Sequence, residues 1–136
     1  MVVEDQIQLM SQRIGGQRLE ALLSTLDDCG SAGDALRLLR SSEFFRGLVE
    51  RQIDWLETEA QFKAGTIDYI IAAHERSIAT LQPTEATLTS LLRVLRQRAM
   101  LHILWRSFTQ WPTGLDETLA AISDLADFVI LEAVRF

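Results

Sequence analysis

The sequence predicts an all-α fold, a helical bundle with a long central helix and an antiparallel C-terminal helix, on three observations. Apolar residues recur at i, i+3 and i+4 from end to end. No segment alternates apolar and polar residues beside hairpin turn chemistry, so there is no strand signal. Only two prolines and seven glycines punctuate 136 residues, which favours long uninterrupted elements.

The first helix is expected from about Val3 to Ile14, stopping at Gly15-Gly16, where paired glycines favour a break over continuation. A second covers about Gln17 to Asp28 and ends near Gly30. After a loop of small residues, Asp34 is the expected N-cap of a short helix carrying Leu36 and Leu39, and Ser41 or Ser42 can cap the next, Glu43 to about Gln52. Ile53-Asp54-Trp55-Leu56 opens a further turn or two toward Phe62. Gly65 then reads as a stop and Thr66 as a cap for a helix from about Ile67 to Leu81, which Pro83 ends.

The apolar pattern resumes at Thr84 and persists to about Phe108, where Gln110-Trp111-Pro112-Thr113-Gly114 makes a turn. The last helix runs from Leu115 toward Arg135, with Thr113 as cap and Asp116 and Glu117 where the helix dipole favours acids. So short a connection makes these two helices antiparallel neighbours. At about 100° per residue, Leu88, Leu91, Leu92, Leu95, Ala99 and Ile103 form one stripe of the long helix, and Val94, Leu101, Leu104, Trp105 and Phe108 fall on roughly the opposite side. A helix apolar on two sides needs cover on both, from the last helix and from helices of the first half. On the last helix the core stripe is expected at Leu115, Leu119, Ile122, Ala126, Val129 and Ala133, with Phe128 and Leu131 on the far side.

A chain of this length can bury a core without disulfides, so residues 1–136 are expected to form a single helical domain. One cysteine, Cys29, and two histidines, His74 and His102, cannot assemble a disulfide or a Cys/His zinc site. No apolar run approaches the length of a membrane span, and the N-terminus lacks a signal-peptide pattern, so a cytoplasmic location is expected. A net charge of −6 argues against a phosphate-tracking surface, so neither nucleic acid nor membrane is expected as a partner.

Catalytic motifs are missing. Gly15-Gly16 is neither a P-loop nor a dinucleotide fingerprint. Cys29 has no basic neighbour close in sequence to activate it, and Asp27-Asp28 and Asp116-Glu117 read as helix-end acids. Phe44-Phe45 and Trp55-Leu56 read as core anchors. No catalytic, cofactor-binding or metal residue is therefore assigned.

Charge is uneven, however. From Thr84 to Gln110 the chain holds Arg93, Arg96, Arg98 and Arg106 against one acid, Glu85. Arg98, His102 and Arg106, at i, i+4 and i+8, make a basic line beside the first stripe. One reading is intramolecular pairing with Asp54, Glu57, Asp124 or Asp127; the other is a docking seam for an acidic partner. Arg93, Arg96, Arg98, His102 and Arg106 are the candidate interface residues.

The run Leu92-Arg93-Val94-Leu95-Arg96-Gln97-Arg98-Ala99-Met100-Leu101-His102-Ile103-Leu104-Trp105-Arg106 resembles the "LRxFRxRxMxRIAWRD" helix of glutamine synthetase adenylyltransferases. Leu115-Asp116-Glu117-Thr118-Leu119, then Ile122-Ser123-Asp124-Leu125-Ala126-Asp127, is similar to that family's "LEETL..LSxLAD" helix. Ser42-Glu43-Phe44-Phe45 through Asp54-Trp55-Leu56 is similar to its "SPFL…HPxWL" segment. His102 stands where the family usually has Arg, Ser107 where Asp is common, and Glu43 and Ile53 replace two prolines. Ile103 to Arg106 is closer to the "IAWR" of the family's N-terminal half.

The resemblance implies a two-headed enzyme using ATP and Mg, in which one nucleotidyltransferase domain attaches AMP to a tyrosine of glutamine synthetase. The N-terminal one removes it by phosphorolysis under control of glutamine and the PII signalling protein. The Gly-Ser-Asp-x-Asp type motif of such domains would follow Phe136. The chain is thus expected to be a helical scaffold segment, a fragment preceding the deadenylylating domain and inactive alone, with no cofactor of its own. Its implied partners are the remaining domains of that enzyme, glutamine synthetase and the PII protein. The alternative is a free-standing helical module binding an acidic partner.

Overall fold

A computed structural model of the chain describes residues 3–30, 33–58, 67–81, 84–109 and 115–135. Among them the protein is all α, with eight helices and no strand: α1 (Val3–Ile14), α2 (Gly16–Asp28), α3 (Asp34–Ser41), α4 (Glu43–Arg51), α5 (Ile53–Thr58), α6 (Asp68–Leu81), α7 (Glu85–Thr109) and α8 (Leu115–Arg135). The expected turn signals Gly65, Thr66, Pro83 and Thr113 lie outside the described residues. The chain divides into two compact units, Met1–Ala64 and Gly65–Phe136.

In the first unit the α1–α2 break falls at Gly15, whose φ of 96° suits glycine and strains any other residue. The helix resumes at once, with the Leu19 amide donating to the Gly15 carbonyl at 3.1 Å. Helix α3 packs against α1, α2 and α4. It contributes Ala35 and Leu39, both fully buried, and Leu38 beside them. Met10, Leu19, Leu22, Leu26, Phe45, Leu48 and Val49 are the other buried apolar side chains of α1, α2 and α4. Each such side chain removed from water contributes roughly 1.5–3 kcal/mol.

The start of α3 differs from expectation. Gly33, in the left-handed region, is the N-cap and offers no side chain. Asp34 lies in the first turn and is ion-paired with Arg37. The capping acceptor is Asp27, at the end of α2: its two carboxylate oxygens accept from the Gly33 amide at 3.2 Å and the Ala35 amide at 3.1 Å. An acid at the C-terminal end of α2 opposes that helix's own dipole, but here its charge meets the N-terminus of α3. The other end of α3 is met by Arg46 of α4, whose Nη1 donates to the Leu39 carbonyl at 2.6 Å. Of the two serines that could cap α4, Ser42 does so, its Oγ accepting from the Phe45 amide at 3.0 Å. Phe45 is buried as a core anchor should be, but Phe44 is 49% exposed, because residues adjacent on a helix point about 100° apart. Trp55 and Leu56 are both buried.

In the second unit α7 is unbroken and packs against both α6 and α8. Leu88, Leu95, Ala99 and Ile103 of the first stripe are buried, and so are Leu101 and Trp105 of the second. Thr84 starts the helix: its carbonyl accepts from the Leu88 amide at 2.8 Å, and its Oγ1 lies 3.4 Å from the Thr87 amide.

The expected core stripe of α8 is overturned. Leu119 and Ile122 are 56% and 45% exposed, Ala126 and Ala133 are exposed too, Val129 is half-buried, and the Leu115 side chain lies outside the described ones. The inward arc instead carries Leu125 and Glu132, both buried, with Phe128 half-buried beside them. Apolar residues occupy nearly the whole circumference of this helix, so periodicity alone could not say which arc packs.

Asp27→Ala is expected to remove both carboxylate acceptors from α3 and cost about 1–2 kcal/mol, the usual worth of a lost N-cap. Urea unfolding followed by circular dichroism would show it, with the exposed neighbour Asp28→Ala as a control that leaves the midpoint in place.

Candidate functional site: the basic line of α7 and the buried histidines

The five candidate interface residues do not share one surface. Arg93 and Arg96 are exposed, while Arg98 and Arg106 are half-buried. His102 is almost wholly buried, at 1% exposure. Each step of four residues advances about 40° round the helix. His102 therefore points inward, Arg98 and Arg106 stand on its two shoulders, and Arg93 and Arg96 face roughly the opposite way.

His102 meets Tyr69 of α6. The phenol oxygen lies 3.1 Å from Nδ1, and the rings cross edge-on with centroids 5.5 Å apart. Either group can be the donor in this contact, which gives the buried imidazole a polar neighbour. Tyr69 was not singled out in the sequence, because a pairing across 33 residues leaves no local mark.

Asp54 and Glu57 of α5 both accept from Arg18 of α2, at 2.7 Å and 2.6 Å. These hydrogen bonds hold the Arg18 proton more tightly than usual and lower the Glu57 carboxyl below its ordinary value. Both groups are open to solvent, so the pair adds little to stability and weakens with salt. A second exposed pair, Arg13 with Glu50 at 2.6 Å, ties α1 to α4. Asp124 and Asp127 of α8 are exposed.

His74 of α6 is the second buried histidine, at 7% exposure. Its ring meets Phe128 of α8 edge-on, with centroids 5.5 Å apart, and Nε2 has no hydrogen-bond partner among the described residues. Burial lowers its pKa from the ordinary 6.5, opposed by the charges of Glu132 and Glu75. The sequence did carry a signal for this position. Ile67, Ile70 and His74 recur at i, i+3 and i+7, and all three are buried.

Among the described residues no group of three or more His, Cys, Asp or Glu side chains could hold a metal ion, and no helix is long and apolar enough to cross a membrane. The arrangement can pack, pair and present surface.

No protein-family model matches the chain, and no solved structure matches it. Over 66 residues, 48% of the chain, it is 41% identical to the bifunctional glutamine synthetase adenylyltransferase/adenylyl-removing enzyme of Thioalkalivibrio sulfidiphilus (strain HL-EbGR7). The matched stretch amounts to 7% of that protein's length. The similarity suggests a segment related to an adenylyltransferase of this kind.

The buried imidazole gives a signed pH dependence. The folded-state pKa of His74 lies below the unfolded value near 6.5, so the unfolded chain binds the proton first. Stability is expected to be unaffected by this group above pH 6.5 and to fall as pH drops through that value toward the folded pKa. Subtracting the urea midpoints of His74→Gln from those of the parent chain between about pH 8 and pH 5.5 isolates the effect. A pH-independent difference would refute it.

Proposed function

We propose that this chain is a helical scaffold segment of a glutamine synthetase adenylyltransferase/adenylyl-removing enzyme, supplying packing surface to its other domains and performing no chemistry alone. The observation carrying this reading is the 41% identity over 66 residues. It is reinforced by the resemblance of Leu92 to Arg106 to the family's arginine-rich helix, a run that lies within the unbroken α7.

Several features of α7 suit a scaffold. Trp105 and Leu101 are fully buried while Arg93 and Arg96 stay in solvent, so one helix serves a core and a charged surface together. The likeness of Ile103 to Arg106 to the "IAWR" sequence supports placing the segment ahead of the deadenylylating domain. In this reading ATP and Mg act in the catalytic domains. The partners are those domains, glutamine synthetase and the PII protein, and the location is the cytoplasm.

The free-standing module binding an acidic partner would have to work chiefly through Arg93 and Arg96, the exposed arginines of α7, because His102 is enclosed against Tyr69.

Two measurements test the scaffold reading. Incubated with adenylylated glutamine synthetase, phosphate and magnesium, the chain is expected to release no ADP, and measurable turnover would overturn the assignment. In the Thioalkalivibrio enzyme, replacing the 66 matched residues by those of this chain is expected to leave both adenylylation and deadenylylation within about tenfold of the parent. A well-folded but inactive chimera would count against it.

A further inference from the structure

Helices α6 and α8 meet at a buried histidine. His74 is 7% exposed, its ring crosses that of Phe128 edge-on, and Glu132, one helical turn beyond Phe128, is buried on the same arc of α8. The Nε2 atom of His74 is shut off from solvent and has no hydrogen-bond partner among the described residues. Such a place suits a neutral ring. In the protonated ring both nitrogens are donors, so an N–H at Nε2 would carry positive charge with neither water nor an acceptor against it.

We propose that His74 is a proton-operated latch on α8: the neutral ring holds the helix closed, and protonation releases the stretch around Phe128 and Glu132 from the rest of the second unit. The inference does not rest on the adenylyltransferase relation.

The balance of charges sets the direction. Glu132 of α8 and Glu75, the exposed neighbour of His74 on α6, both favour the charged ring, but burial outweighs them and holds its proton affinity below the ordinary value. Asp68 and Arg76 of α6 and Asp116, Asp124 and Asp127 of α8 are exposed. Helix α7 packs against both helices. Its Glu85, Arg93 and Arg96 are exposed, Arg98 and Arg106 are half-buried, and the enclosed His102 meets Tyr69.

The element that yields is α8. Among the described side chains it buries one apolar residue, Leu125, with Phe128 half-buried, whereas α7 buries Leu95, Ala99, Leu101, Ile103 and Trp105 among others. A helix held by so little buried apolar surface opens at a lower free energy than the whole unit unfolds. Protonation therefore acts first as a local opening, which bares Leu125 and Phe128 together with the side chains they cover.

Native-state hydrogen exchange on the full chain in low urea reads this opening. Corrected for intrinsic rates, the amides of residues 125–134 are expected to exchange with a smaller urea dependence than those of residues 95–105, because less surface is exposed. Between pH 7.5 and pH 5.5 the opening is expected to grow by at least about twofold and at most about tenfold, the limit for one proton on a group of ordinary pKa 6.5. His74→Phe, which keeps a ring against Phe128, and His74→Gln are each expected to flatten that pH dependence while the circular dichroism spectrum at pH 7.5 is retained. The proposal is overturned by an opening in the parent chain that ignores pH, by one with the same urea dependence as α7, or by a pH dependence that survives both substitutions. Greater protection of α8 at pH 5.5 would overturn it as well, since Glu132 would then be pairing with the charged ring and tightening the contact.

Discussion

The second unit is organised by the need to cover α7. Most amphipathic helices turn one stripe inward and leave the rest to water, but α7 carries buried side chains on two sides, with Leu95 and Ala99 on one and Leu101 and Trp105 on the other. Helices α6 and α8 both pack against it. The polar residues of α7 have to fit around that cover. Arg93 and Arg96 face solvent, whereas His102 lies inside and needs the Tyr69 hydroxyl to offset the cost of burying an imidazole.

The first unit meets a different constraint, because its helices are short and their ends are a large fraction of the structure. Unsatisfied amides and carbonyls are met by side chains from neighbouring helices. Asp27 serves the start of α3, Arg46 serves its end, and Ser42 starts α4. Charge thus ties successive helices together at their termini, where the dipoles favour it. The ion pairs from Arg13 to Glu50 and from Arg18 to α5 lie in solvent and contribute less.

These two ways of using charge bear on function. A catalytic site concentrates titratable groups in a cleft and shifts their proton affinities for a task. In this chain Asp27 and Arg46 meet helix ends, and Arg13 and Arg18 join helices across the surface. His74 is shifted chiefly by burial against an aromatic ring. The 66-residue likeness is to one small part of a much larger enzyme.

Much of the fold was legible in the sequence. The limits of α1, α2, α7 and α8 were readable to within a residue or two from glycine pairs and i, i+3, i+4 spacing, since these signals act through the backbone of the residues that carry them. The two-sided burial of α7 followed from its two apolar stripes. Of the candidate basic line, the inward turn of His102 could be suspected, but its partner Tyr69 could not. What only tertiary structure decided was which of several apolar arcs packs, as on α8, and which distant side chain answers each polar group, as with Asp27 at α3 and Arg18 at Asp54 and Glu57. Local propensity is set by neighbours along the chain, whereas these choices depend on side chains brought together through space by the packing of whole helices.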